Sequence, residues 1–171
     1  MNNLWLPLLL GPLLLAGQTV HPPVQSATGR KQPPLRQQKD LPTEVRTNLQ
    51  QQIKHLLVSQ VEAWNHGDLE GFMQGYWNSP DLTFFSGTTA TRGWEPALAR
   101  YKQRYQGQGK EMGKLAFQAL DIDLLSRRSA VVTGKWQLTM KDGKMPHGLF
   151  TLIFKRLPEG WRIVHDHTSG G

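Results

Sequence analysis

The stretch that decides the fold is Trp161-Arg162-Ile163-Val164-His165-Asp166-His167-Thr168-Ser169, near the end of a 171-residue chain. Its alternating apolar residues predict a β-strand, in which successive side chains point to opposite faces. One face would then carry two apolar side chains followed by two imidazoles: Trp161, Ile163, His165 and His167. Asp166 would lie on the opposite, outer face. Paired imidazoles at the end of an apolar face are typical of a pocket or a subunit interface, so we expect the strand to reach a functional site.

The segments before this strand predict helices first and strands afterwards. Apolar residues recurring every three or four positions predict one helix from behind Thr43 to Gly67 and a second helix after Asp68. A short strand at 82–85, a Gly/Thr-rich turn and a third helix over roughly 94–105 follow. Long segments rich in β-branched and aromatic residues then predict antiparallel strands at 115–125, 130–140, 148–157 and 161–169. This order indicates an α+β fold with a sheet packed against helices.

The first 42 residues differ in composition from the rest. Residues 1–17 carry no charged side chain and predict a signal peptide, with an uncleaved anchor as the alternative. We therefore expect a secreted or periplasmic protein, which would touch a membrane only if the segment stays uncleaved. Residues 18–42 are rich in Pro and Gln and basic, which predicts a disordered tether ahead of a folded domain at 43–169. The chain has no cysteine, so disulfides and thioether lipidation are excluded.

The charge balance gives little indication of a polyanionic partner. The whole chain has a net charge of +7, shared between the tether and the domain, and it contains no nucleic-acid-binding motif. We expect no nucleic-acid partner. Arg100, Lys102 and Arg104 are interpreted as an exposed face of the third helix, with a site for an acidic ligand as the alternative.

Three motifs in this order resemble those of a known family. They are EAWNHGDLEGF at 62–72, RGWEPAL at 92–98 with Tyr101 and Tyr105 beyond it, and GWRIVHDHTS at 160–169. Together they resemble the SnoaL-like, ketosteroid-isomerase-like proteins of the nuclear transport factor 2-like superfamily. The last motif is also similar to the end of the calcium/calmodulin-dependent protein kinase II association domain. The resemblance implies a cone formed by a curved, mostly antiparallel sheet packed on three helices.

The resemblance also permits a test of ketosteroid isomerase activity. It places Gln60, Ser86 and Leu152 at the positions of that enzyme's oxyanion-hole tyrosine, aspartate base and protonated aspartate. Such chemistry needs a base and acidic donors. Since these three residues supply neither, steroid isomerisation by that route is not expected, and whether the protein is an enzyme at all stays open.

His165 and His167, with Asp123, are the candidate catalytic residues. Imidazole titrates near neutrality and can act as a general acid or base, and Asp123 would orient it or share its proton. A metal site would require a third ligand such as His147, so we expect neither a metal nor a cofactor. The competing interpretation is structural: the imidazoles form hydrogen bonds inside the cone or across a dimer. Asp121 and Asp123 would then mark where a strand leaves the core.

Large aromatic residues are the candidate lining of the cone. The predicted ligand-binding residues are Trp64, Tyr76, Phe85, Trp94, Tyr101, Tyr105, Phe117, Trp136 and His147. Aromatic residues at helical spacing are more often core residues, but an apolar cavity with a few polar groups suits a small hydrophobic ligand.

The leading hypothesis for function is therefore binding of a small apolar or aromatic molecule in the cone, with or without His-based acid/base catalysis. Strands with apolar residues on both faces predict a homodimer through the sheet, because one apolar face suffices to cover the helices; a thicker monomer core is the alternative. The alternatives are a non-catalytic association module with a vestigial cavity, and a polyketide-cyclase-like or dehydratase-like enzyme.

Overall fold

The computed structural model describes residues 41–170. The predicted signal peptide and nearly all of the predicted tether lie outside these described residues. The helices are α1 (Thr43–Asn65), α2 (Leu69–Met73) and α3 (Trp94–Tyr101), and α3 continues into one π-helical turn, Lys102–Gln106. The strands are β1 (Thr83–Ser86), β2 (Thr89–Arg92), β3 (Lys114–Ser126), β4 (Ser129–Thr139), β5 (His147–Leu157) and β6 (Gly160–Thr168). None of the described helices is both long and apolar enough to cross a membrane.

The strands form one open sheet in the order β2-β1-β6-β5-β4-β3. Every neighbouring pair is antiparallel except β1 and β6, which are parallel. The predicted α+β class, with a mostly antiparallel sheet on three helices, is confirmed. One local prediction was wrong: residues 89–92 form a strand where a turn was expected. The third helix has its predicted extent, but its last turn is π-helical.

The core lies between α1 and the concave face of the sheet. Helix α1 buries one side chain at nearly every turn: Leu49, Ile53, Leu57, Gln60 and Trp64. Gly67, at φ +79°, then reverses the chain, and Asp68 caps α2 by accepting a hydrogen bond of 2.7 Å from the Gly71 backbone N–H. These two adjacent residues turn α2 back against α1.

The segment after α2 is fixed to β6 by main-chain hydrogen bonds. Trp77 N donates to Ile163 O at 2.9 Å, and Ile163 N donates to Gly75 O at 2.9 Å. Tyr76 lies between these two bonds, so its side chain is held beside the last strand.

Of the three register shifts among the described strands, two are β-bulges that reverse the alternation of side chains beside the cavity. In β6, His165 pairs with Ile153 and Ile163 pairs with Phe154, so Val164 has no partner on β5. In β3 an extra residue lies between Gln118 and Asp121, at a point where Ala119 has a positive φ of 50°. Beyond each bulge, residues that would have pointed inward point outward, because strand side chains alternate with period two.

Candidate functional site

The concave face of the sheet and the helices enclose a cavity of about 560 Å³. Six of the nine predicted ligand-binding residues line it: Trp64, Tyr76, Tyr101, Tyr105, Phe117 and Trp136. Three further aromatic residues that the sequence analysis did not predict also line the cavity: Phe72, Phe84 and Phe150. The lining is therefore aromatic on both the helical side and the sheet side.

The helical side of the wall is a cluster of rings packed edge to face. The Trp64 ring centroid lies 4.8 Å from that of Tyr105, 5.2 Å from Phe72 and 5.9 Å from Tyr101. The indole N–H of Trp64 donates to Gly113 O at 3.2 Å, which satisfies its polar atom. On the sheet side, the indole N–H of Trp136 donates to Ser169 O at 2.9 Å and ties the end of the described chain to the cavity wall. A satisfied indole presents an apolar face to a ligand.

Asp166 is the one acidic residue among the described residues that line this cavity, and it is only 3% exposed. The Tyr76 hydroxyl donates to Asp166 Oδ2 at 2.7 Å, and Thr168 Oγ1 donates to Asp166 Oδ1 at 2.6 Å. Burial raises the pKa of Asp166 to about 6, although both hydrogen bonds and the charge of His167 act to lower it. Desolvation therefore outweighs the stabilisation of the carboxylate by its donors.

The tyrosines beside Asp166 stay protonated at neutral pH. Burial raises the pKa of Tyr76 and of Tyr101 well above the usual value of 10.0, and the negative charge of Asp166 raises both further. Burial also raises the pKa of Tyr105. Their hydroxyls consequently act as hydrogen-bond donors rather than as bases, and the Tyr76 hydroxyl already donates to Asp166.

The predicted orientation of the two imidazoles was wrong. His165 and His167 do not line the cavity; they lie on the outer face of the sheet, where their ring centroids are 5.1 and 6.2 Å from that of Phe85. His165 Nδ1 forms a 2.6 Å hydrogen bond with Thr83 Oγ1, and burial lowers the pKa of His165, as does the charge of His167. The unpaired Val164 is the cause, since it turns Asp166 inward and its neighbours outward.

The same effect removes Asp123 from the predicted site. Phe117 precedes the bulge in β3 and lines the cavity, whereas Asp121 and Asp123 follow the bulge and are exposed on the other face. Ile122 and Leu124 take the inward positions instead, with Leu124 only 1% exposed. Asp123 therefore does not meet the cavity, and it lies on a different strand from the imidazoles it was expected to orient.

Three predicted ligand-binding residues also lie outside the cavity wall. Phe85 is 39% exposed on the outer face, one residue beyond the inward-facing Phe84. Trp94 is structural, because its indole N–H donates to Met73 O at 2.9 Å and ties α3 to the end of α2. His147 is exposed and its Nδ1 lies 3.0 Å from Met145 O. Within residues 41–170, no three His, Asp or Glu side chains come together as a metal site would require.

The positions that correspond to ketosteroid isomerase catalytic residues do face the cavity. Gln60, Ser86 and Leu152 all line it. The Gln60 amide is occupied in the structure, since its Nε2 donates to Phe72 O at 2.9 Å and the residue is only 2% exposed. The carboxyl of this cavity thus comes from β6 and not from the three positions used in that enzyme.

Arg100, which is half-buried, and Arg104, which is exposed, form the basic part of the cavity wall. Both were expected on the solvated face of the third helix, yet both line the cavity, while Lys102 points away and pairs with Glu70 Oε1 at 2.7 Å. Helical spacing alone could have separated these residues, because Arg100 and Arg104 are four positions apart and share a face, whereas Lys102 is two positions from each and faces the other way.

Comparison with known proteins agrees with this fold. The profile of a family described as "SnoaL-like domain" matches residues 53–170. The chain is similar to an NTF-2-like protein of unknown function from Shewanella oneidensis MR-1, with 38% identity and a TM-score of 0.64, covering 70% of this chain and 98% of that one. A search of curated proteins gives no match.

Two more distant structures share the fold alone. One is a putative calcium/calmodulin-dependent protein kinase II association domain from Xanthomonas campestris, with 18% identity and a TM-score of 0.55, covering 70% of this chain and 85% of that one. The other is a putative scytalone dehydratase from Novosphingobium aromaticivorans, with 10% identity and a TM-score of 0.64, covering 76% and 89%. Similarity at this level carries no activity from one chain to another.

Proposed function

Because this chain belongs to the SnoaL-like domain family and has the nuclear transport factor 2-like fold, we propose that it binds a small apolar or aromatic molecule in its cavity. We further propose that Asp166, rather than His165 or His167, exchanges a proton with that molecule. Sites for small molecules are concave, mostly apolar and supplied with a few well-placed polar groups, and this cavity has that composition.

The observation that carries the proposal is a buried carboxyl with a pKa of about 6 at an aromatic cavity wall. A general acid or base works best when its pKa lies near the working pH, and an ordinary exposed aspartate falls well short of that. The energetic cost of burying Asp166 is characteristic of a functional site, since a purely structural position would be more stable with an apolar residue.

The surroundings of Asp166 suit proton transfer to or from a bound molecule. Tyr76 and Thr168 each donate to one carboxylate oxygen, so the group is held in one orientation while lone pairs remain for a ligand. The Tyr101 hydroxyl stays protonated because its pKa is raised, and it is hydrogen-bonded to Tyr76; by turning from Tyr76 to a bound molecule it can donate to an oxygen that gains negative charge during the reaction. This set fits a dehydratase-like or cyclase-like proton transfer better than the His-based catalysis expected from the sequence.

A second candidate function is assembly, favoured by the outer face of the sheet. Phe85, on β1, is 39% exposed and lies beside the two imidazoles, and Leu149, on the same face of β5, is 58% exposed. A contiguous exposed apolar patch on a sheet face is typical of an interaction surface. We propose that this face forms a homodimer, which is compatible with ligand binding because the cavity lies on the opposite face.

Native mass spectrometry of the protein purified from its own host tests the main proposal. We expect a retained small molecule, lost in Ser86→Trp, which would fill the cavity, and kept in Phe85→Trp, which alters the outer face of the same strand. Circular dichroism would establish that both variants fold. If the wild-type protein retains no small molecule, or if both variants retain it equally, the proposal of a ligand in the cavity would be contradicted.

A further inference from the structure

We infer that the ligand of this cavity carries an anionic group, which Arg100 and Arg104 bind at the cavity mouth; this rests on the proposed small-molecule binding. Arg100 lies in the last turn of α3 and Arg104 in the π-helical turn that follows, and both line the cavity. Arg100 is half-buried and Arg104 is exposed, whereas Asp166 is buried. The cavity therefore has a cationic entrance and a deep carboxyl.

Neither guanidinium is neutralised by the described part of the chain. No salt bridge within residues 41–170 involves Arg100 or Arg104, whereas Lys102 Nζ lies 2.7 Å from Glu70 Oε1. Lys102 lies between the two arginines in sequence, but it points away from the cavity and pairs with Glu70. Arg100 and Arg104 face the cavity without an acidic partner among the described residues, so their positive charge can bind an anionic ligand.

Both guanidinium groups are positioned rather than free in solvent. Arg100 Nη1 donates to Thr91 Oγ1 at 3.1 Å, and its Cζ lies 5.6 Å from the centroid of the Phe84 ring. Arg104 Cζ lies 5.4 Å from the centroid of the Tyr105 ring. A guanidinium over an aromatic face keeps most of its five N–H donors, so it can still bind an anion with two parallel hydrogen bonds.

The positions of the arginines and of Asp166 also determine how the ligand is oriented in the cavity. Phe84 and Tyr105 are cavity walls, so the arginine planes continue the aromatic surface on which a ligand would lie. Asp166 carries a pKa of about 6 and is mostly ionised at neutral pH, so it would repel an anion placed beside it. The anionic end therefore belongs at the arginines, and the apolar body points toward Tyr76 and Asp166. The ligand class is an organic anion with an aromatic or apolar body.

Two fluorescent probes that share one aromatic body separate charge from shape. 1-Anilinonaphthalene-8-sulfonate is anionic, and N-phenyl-1-naphthylamine is its neutral counterpart. We expect wild-type protein to bind the sulfonate more tightly, and the double variant Arg100→Gln, Arg104→Gln to raise the Kd of the sulfonate by about tenfold. The Kd of the neutral probe should change by less than about twofold, and Lys102→Gln, which removes a charge from the same segment, should change neither.

The outcomes of this experiment separate the inference of an anionic ligand from the proposal that the cavity binds a small molecule. Equal weakening of both probes in the double variant would show that the arginines only maintain the cavity, and an unchanged sulfonate Kd would show that they do not bind the anion; either overturns the inference. If the neutral probe binds and is lost in Ser86→Trp while the sulfonate has no advantage, the inference fails and the cavity function stands. If neither probe binds wild-type protein, or both still bind Ser86→Trp, both fail.

Discussion

Replacement of Asp166 by Asn should stabilise the fold at neutral pH and have little effect in acid. Burial places the pKa of Asp166 at about 6 in the folded protein, above its usual value of 3.8. The folded state therefore holds this proton more tightly than the unfolded chain. The resulting stability is fully present below about pH 3.8 and is lost as the pH rises through about 6.

The size of the effect follows from the same two values. The difference between 3.8 and about 6 corresponds to about 3 kcal/mol of unfolding free energy, since a tenfold change in proton affinity is worth about 1.4 kcal/mol. Asn carries no charge, keeps an oxygen that accepts from the Tyr76 hydroxyl, and offers an N–H to Thr168 Oγ1. Asp166→Asn should thus be more stable than wild type by about 1–3 kcal/mol at neutral pH.

Urea unfolding followed by tryptophan fluorescence measures this difference at about pH 7.5 and at about pH 4. We expect the variant's advantage to shrink toward zero at the lower pH, where the wild-type carboxyl is largely protonated. Asp121→Asn, at an exposed position on β3, controls for the loss of a carboxylate in itself. An advantage of equal size at both pH values, or no advantage at either, would refute the reasoning that desolvation of Asp166 is linked to folding.

Three further predictions concern Tyr76 beside Asp166 and two residues on the outer face of the sheet, His167 and Leu149. Tyr76→Phe removes the hydroxyl that donates to Asp166 Oδ2, so the unfolding free energy at about pH 7.5 should fall by about 1.5–3 kcal/mol in the same assay, and by less in acid. His167→Ala should leave the affinity for N-phenyl-1-naphthylamine unchanged, because His167 lies on the outer face; a weakened titration would place it at the cavity after all. Leu149→Lys should dissociate the proposed homodimer in sedimentation velocity, whereas Val58→Lys, at a similarly exposed apolar position on α1, should not; a dimer that survives Leu149→Lys would contradict the proposed interface.

The periodic parts of the fold could be predicted from the sequence because each follows one simple repeat. The long stripe of α1 and the four long strands are recognised by spacings of three and four or of two. The strand β2 was missed because its four residues, Thr89–Arg92, are mostly exposed and carry no apolar alternation. The extent of the third helix was predicted but the π-helical form of its last turn was not, because a π-helical turn differs from an α-helix in its hydrogen bonds and not in its composition.

Most aromatic residues that line the cavity could be predicted from the sequence, but which aromatic residues lie outside the cavity could not. Residues such as Trp64 and Tyr101 face the cavity because they follow the helical stripe that faces the sheet. Phe84 and Phe85 are adjacent in sequence and identical in type, and the pairing of β1 with β6 alone decides which one faces inward. Trp94 is also aromatic and close to the cavity, yet its indole N–H is used to join α3 to α2. Composition cannot separate these roles, since it contains no information on pairing.

The candidate proton-transfer group depends on one unpaired residue. Continued alternation from Ile163 would turn His165 and His167 into the cavity and Asp166 away from it, as the sequence pattern predicted. Because Val164 bulges opposite the junction of Ile153 and Phe154, the alternation is reset, and Asp166 pairs with the inward-facing Leu152. The main-chain bonds of Ile163 to Gly75 and Trp77 hold the strand on the other side of this bulge and bring Tyr76 within 2.7 Å of the carboxyl. The chemistry of the cavity is thus set by backbone pairing and not by the identity of the residues in its most conspicuous motif.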